Sequence, residues 1–151
     1  MDKLMATLKK IALEIADLRR DVDELKRREI PAGLWKKYTP ASYTGWTALP
    51  GGTYRYTAIG KLVILHIAMG GGTSNADTAK IALPFTAANF GGSMGGANAY
   101  AVDDGTELTT MSRWAIGANS TTIDFYKDAA VGAWTASGTK RIYCVAFYER
   151  A

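Results

Sequence analysis

The sequence predicts an N-terminal parallel coiled coil followed by an all-β domain, an antiparallel β-sandwich of jelly-roll-like form. Two observations carry this. Apolar residues in the first thirty positions keep a four-three rhythm. After residue 32 that rhythm gives way to short apolar runs between Gly-rich turns, and all 16 Gly and all 16 aromatic residues lie there.

Leu4, Leu8, Ile11, Ile15, Leu18, Val22 and Leu25 form the heptad seam. Leu8, Ile15 and Val22 occupy a, and Leu4, Ile11, Leu18 and Leu25 occupy d. Half of the first 30 residues are charged, so the apolar stripe is narrower than that of a helix packed on its own domain. A seam this narrow calls for other copies of the chain. Glu14 and Asp21 fall at g, and Arg19 and Lys26 at the following e. In a parallel coil Glu14 meets Arg19 and Asp21 meets Lys26, whereas an antiparallel coil sets like charges together. Seam chemistry leaves dimer and trimer open, because Ile and Val at a suit two strands while Ile11 at d suits three. The helix is expected to end before Ile30-Pro31, since proline disfavours helical geometry in the residue before it.

The domains expected are a stalk over 1–30, an aromatic link over 31–53 and a β knob over 54–151. Trp35 and Trp46 in the link are expected to pack the junction. Strands are expected at Tyr54 to Ala58, Leu62 to Met69, Lys80 to Phe85, Asn98 to Val102, Glu107 to Ile116, Thr121 to Tyr126 and Arg141 to Tyr148. Asp103-Asp104-Gly105-Thr106 has the composition of a tight hairpin turn. Gly91 to Gly96 reads as a loop. The Leu62 and Arg141 strands are apolar on both faces, so each should be covered on both sides, by the second sheet or by another subunit.

The formal net charge of +4 is spread over both parts. It forms no basic stripe, and nucleic acid is not an expected partner. Lys26, Arg27 and Arg28 suit the C-terminal end of a helix dipole. No run approaches the length of a membrane span, and no membrane insertion is expected. Cys144 is the only cysteine, so no internal disulfide can form.

Chemistry is sparse. His66 and Cys144, each the sole residue of its kind, lie within apolar strands, where structural roles outweigh nucleophilic catalysis. Adjacent Asp103 and Asp104 read as turn residues, and Asp124 and Asp128 as solvated carboxylates. No carboxylate group has metal-ligand spacing, and neither metal nor cofactor is expected. The best ligand candidates are Trp134, Tyr126 and Asp128, because a sugar stacks its apolar face on a ring and needs polar partners for its hydroxyls.

Three motifs in order resemble the trimeric fibre tips and receptor-binding proteins of tailed bacteriophages. They are Gly52-Thr53-Tyr54-Arg55-Tyr56 with Ile59-Gly60-Lys61-Leu62-Val63-Ile64-Leu65, then Ile81-Ala82-Leu83-Pro84, then the closing Arg141-Ile142-Tyr143-Cys144-Val145-Ala146-Phe147-Tyr148. The resemblance implies a homotrimer with a coiled shaft and a β knob that binds a host-surface glycan or protein, without enzymatic activity. It also implies a virion location after assembly in a host cytoplasm. Because the coil starts at Met1, the first heptad would dock on a virion protein, or the chain would be a head fibre or capsid decoration protein. A surface-glycan hydrolase is the third reading.

Overall fold

The computed structural model describes residues 11, 13–21 and 34–151. The chain divides into two compact units, Met1–Gly33 and Leu34–Ala151.

In the first unit, residues 13–21 are helical, with Arg20 paired to Asp17 one turn back at 3.3 Å. Three seam residues fall on described positions. Ile11, Ile15 and Leu18 are 46%, 49% and 63% exposed. Leu4, Leu8, Val22, Leu25 and Lys26 lie outside the described residues.

The second unit is all β. Its strands are β1 (Lys36–Lys37), β2 (Tyr43–Thr44), β3 (Gly52–Ile59), β4 (Leu62–Met69), β5 (Gly72–Thr73), β6 (Ala79–Ala82), β7 (Ser93–Ala97), β8 (Tyr100–Asp103), β9 (Thr106–Glu107), β10 (Arg113–Gly117), β11 (Thr122–Tyr126) and β12 (Thr139–Glu149). Seven form one sheet in the order β1-β3-β4-β12-β8-β9, with β5 also paired to β12. Five form a second sheet in the order β2-β6-β11-β10-β7. Every pairing is antiparallel.

Period-two patterning sets the layers. In β4, Val63, Leu65, Ile67 and Met69 are buried, as are Ile142, Cys144, Ala146 and Tyr148 of β12. Ile81, Ile123, Phe125, Trp114 and Ile116 from the second sheet join them in one core. The two sheets therefore share a single hydrophobic interior.

Asp103-Asp104-Gly105-Thr106 makes the expected hairpin. Asp103 pairs with Thr106, and Asp104 and Gly105 have φ of 50° and 77°, the double left-handed turn that suits strand twist. Three expectations change. Gly91 to Gly96, read as a loop, supplies most of β7. A Cβ on Gly96 would lie 2.8 Å from the Trp114 ring, and one on Gly95 2.9 Å from the Trp114 carbonyl. Glycine is what lets this strand run against tryptophan. The expected strand Glu107 to Ile116 is broken into β9 and β10. The expected link contributes β1 and β2, and Trp46 lies in the core rather than at a junction.

The two outer faces differ in character. On the five-stranded sheet, cross-strand partners Lys80 and Asp124 form an ion pair at 3.0 Å, and Arg113 lies over the Tyr126 ring of its own cross-strand partner. On the seven-stranded sheet, register sets Leu62 between Ile59 and Glu149, Ile64 between Thr57 and Phe147, and His66 between Arg55 and Val145. Paired residues share a face, so this face is mostly apolar. Leu62, Val145 and Phe147 are 42%, 54% and 50% exposed. The second faces of β4 and β12, expected to be covered, are thus partly open within one chain, with Ile64 and His66 half-buried.

Candidate functional site

Two features gather chemistry, and they share a wall. One is a cleft of about 180 Å³ at one end of the five-stranded sheet. Its sides are Asp77 to Lys80 of the β6 segment, Asp124 to Tyr126 of β11, and Val131 to Trp134 of the following loop. Lys80 and Asp124 stand there because alternation turns them away from the core that holds Ile81 and Ile123. Thr122 Oγ1 donates to Asp124 Oδ1 at 3.4 Å, steadying the carboxylate from its own strand. Val131 is exposed and has φ of 68°. For a β-branched residue this left-handed conformation is unfavourable, so the loop holds an apolar side chain beside the cleft at a conformational cost.

The three residues expected to meet ligand are separated by the structure. Tyr126 is half-buried and lines the cleft, with the Arg113 guanidinium 5.2 Å from its ring centre. Trp134 also lines the cleft but is only 3% exposed, and its Nε1 donates to the Phe125 carbonyl at 2.8 Å. Its ring is a packing wall with no open face for a sugar. Asp128 does not line the cleft. Its Oδ1 accepts the Gly132 amide at 2.8 Å and closes the loop.

Behind Trp134 lies the second feature, which sequence reading missed. Lys140 is completely buried. Its Nζ donates to the carbonyls of Gly45, Ala76 and Thr78 at 3.3, 3.0 and 3.2 Å. It sits 5.4 Å from the ring centres of both Trp46 and Trp134. Burial lowers its pKa to about 8, against an upward pull from Asp103 and Asp77. Three carbonyl dipoles and two ring faces offset the loss of water around the ammonium. Gly45 is needed in this cage, since it has φ of 102° and its Cβ would run into the Thr78 carbonyl. The signal for Lys140 was available in β12, where it shares parity with Ile142, Cys144, Ala146 and Tyr148.

Nearby, Asp103 is buried and accepts from Thr135 N and Oγ1 at 3.0 and 2.8 Å. Lys127 pairs with it at 2.7 Å. Burial alone would raise the Asp103 pKa, but hydrogen bonds from Lys127 and Thr135 outweigh it and hold the carboxyl below its ordinary range. This anchors the loop after β11 to the β8–β9 hairpin.

The remaining candidates are kept apart. His66 pairs with Val145, and Cys144 with Ile67, so imidazole and thiol project from opposite faces of the sheet. Burial pushes the Cys144 thiol up to about 12, which leaves it protonated. Burial, followed by the Arg55 charge, lowers the His66 pKa. Asp124 is taken by Lys80 and Asp128 by Gly132. Among the described residues no group of three or more His, Cys, Asp and Glu is placed to hold a metal, and no helix is long and apolar enough to cross a membrane.

Fold and site together define an all-β antiparallel unit with a small cleft lined by Lys80, Asp124 and Tyr126. No protein-family model matches the chain, and no curated protein matches it.

Proposed function

We propose that this chain is a homotrimeric fibre protein of a tailed-bacteriophage virion. Residues 1–30 form a parallel coiled-coil stalk, and the jelly-roll-like β unit is an adhesive knob. One observation carries the reading. Ile11, Ile15 and Leu18 of the heptad seam are open to solvent on a helix within a single chain. Apolar side chains at heptad spacing are stabilised by entering holes on a partner helix. Trimerisation then multiplies weak binding, because the second and third contacts are intramolecular.

The cleft beside Tyr126 is the adhesive site in this reading. Tyr126 offers ring surface, while Lys80 and Asp124 offer a donor and an acceptor to the hydroxyls of a host-surface glycan. A protein receptor would use the same rim. The chemistry is adhesion without turnover, and the N-terminal heptad attaches to a virion protein.

Light scattering on the full chain, joined to a screen of bacterial surface glycans, tests this. A mass of three copies and binding lost in Tyr126→Ala are expected. A monomer sinks the fibre reading. A trimer that binds no glycan and no host surface favours the second reading, a head fibre or capsid decoration protein. That reading draws support from Trp134 and Asp128, both occupied in loop packing. Release of oligosaccharide abolished by Asp124→Asn would instead establish a hydrolase.

A further inference from the structure

We infer that the outer face of the seven-stranded sheet is where copies of this chain pack on one another, a surface that deepens the self-association proposed above and rests on it. The face is centred on Leu62, Ile64 and His66 of β4 and Val145 and Phe147 of β12, with Ile59 beside them. These are the middle strands of the sheet. Phe147 meets the Trp114 ring edge-on with centres 5.9 Å apart yet stays half exposed, and an isolated domain gains nothing by displaying Leu62 and Val145. A contiguous apolar patch of this kind marks a contact surface. The contrast with the other sheet is internal to the molecule. There the equivalent outward positions of central strands carry Lys80, Asp124 and Arg113, paired or stacked across strands.

The occupant follows from how the chain enters. Trp35, two residues beyond the heptad-bearing unit, lies edge-on to His66 with ring centres 6.0 Å apart. The Arg55 guanidinium covers the same indole at 4.9 Å. The first residues of the β unit therefore lie against this face. Copies joined through residues 1–33 hold their β units at high effective concentration for one another, an advantage that an unrelated partner lacks.

The test uses the full chain and two single-cysteine additions, Val145→Cys on this face and Thr44→Cys on the exposed edge of the other sheet. Native Cys144 is buried and contributes little background. Each protein is first weighed by light scattering, then alkylated with a maleimide while assembled. The expected result is a trimer in which the thiol from Val145→Cys reacts at least about tenfold more slowly than that from Thr44→Cys, since access governs thiol reactivity. Equal rates in a trimer overturn the face while leaving the fibre reading intact. A monomeric wild-type chain overturns both.

Discussion

The Lys140 ammonium lies 5.4 Å from the centre of the Trp134 ring and the same distance from that of Trp46. One cation thus joins the loop before β3, the segment before β6, the loop after β11 and the last strand. Trp134 forms the shared wall between this cage and the cleft, so its burial serves the interior and its edge shapes the opening.

Replacing Lys140 by methionine should be costly despite the gain in apolarity. Three inward carbonyls would lose their donor, and the expected loss is about 2–4 kcal/mol. Urea unfolding at pH 7 measures it. A variant as stable as wild type would show the cage to be dispensable.

The same residue sets an alkaline signature. Its pKa is about 8 when folded against 10.5 ordinarily. Below pH 8 both states hold the proton. Between these values the unfolded chain binds a proton that the folded chain does not, so stability rises with pH across the window. Cys144 and the hydroxyls of Tyr54 and Tyr148, each pushed up to about 12 by burial, work in the opposite sense. Their contribution is full below their ordinary values and is lost as pH rises toward their folded values. The stability of wild type relative to Lys140→Met should therefore climb from pH 8 toward pH 10, by about 3 kcal/mol at most. A flat difference would place the folded pKa near its ordinary value.

Asp103 predicts the acid side. Its folded pKa is depressed, so its contribution is present above the ordinary carboxylate range and lost as pH falls through the folded value. Asp103→Asn should destabilise the protein at pH 7 by about 1–3 kcal/mol and flatten the acid limb of thermal unfolding. An unchanged acid limb would remove Asp103 from the account.

Glycine substitutions separate crowding from backbone conformation. Gly96→Ala places a methyl against the Trp114 ring and should cost about 1–3 kcal/mol. Gly92→Ala, where the added carbon meets nothing within 4 Å, should be nearly neutral. Gly45→Ala combines a left-handed φ with collision at Thr78 and should cost about 3 kcal/mol. Calorimetric unfolding of the three ranks them. Equal losses at Gly96 and Gly92 would contradict the packing of β7 under Trp114.

Much of the β architecture was legible because alternation is a local signal. Leu62 to Met69 and Thr121 to Tyr126 were readable since each buried position is two residues from the next. The Asp104-Gly105 turn was readable from composition, because few residues accept two successive left-handed conformations. Strand β7 was hidden because Ser93 to Ala97 has almost no side chains to pattern, and its reason for being extended lies in Trp114, distant in sequence. The cleft was half legible. Tyr126 was found by its aromatic character near a loop, while Lys80 became visible only when register set it across from Asp124. Trp134 looked like a ligand platform because it stands in the loop Asp128 to Gly138 with Tyr126 and Asp128 nearby, and only tertiary packing assigns it to Lys140. The open face on β4 and β12 was signalled by strands apolar on both sides, with the choice between a second sheet and a second subunit left to the fold.

Strand β12 has a consequence for synthesis. Its residues 143–149 pair with residues 62–68 of β4, some eighty positions earlier, and it also holds β8 and β5. While the ribosome is still making the middle of the chain, β4 has no central neighbour and both of its apolar sides are bare. The large sheet closes only after β12 has left the exit tunnel. The late closing of the sheet makes this stretch of the protein's life the one in which a chaperone has most to hold.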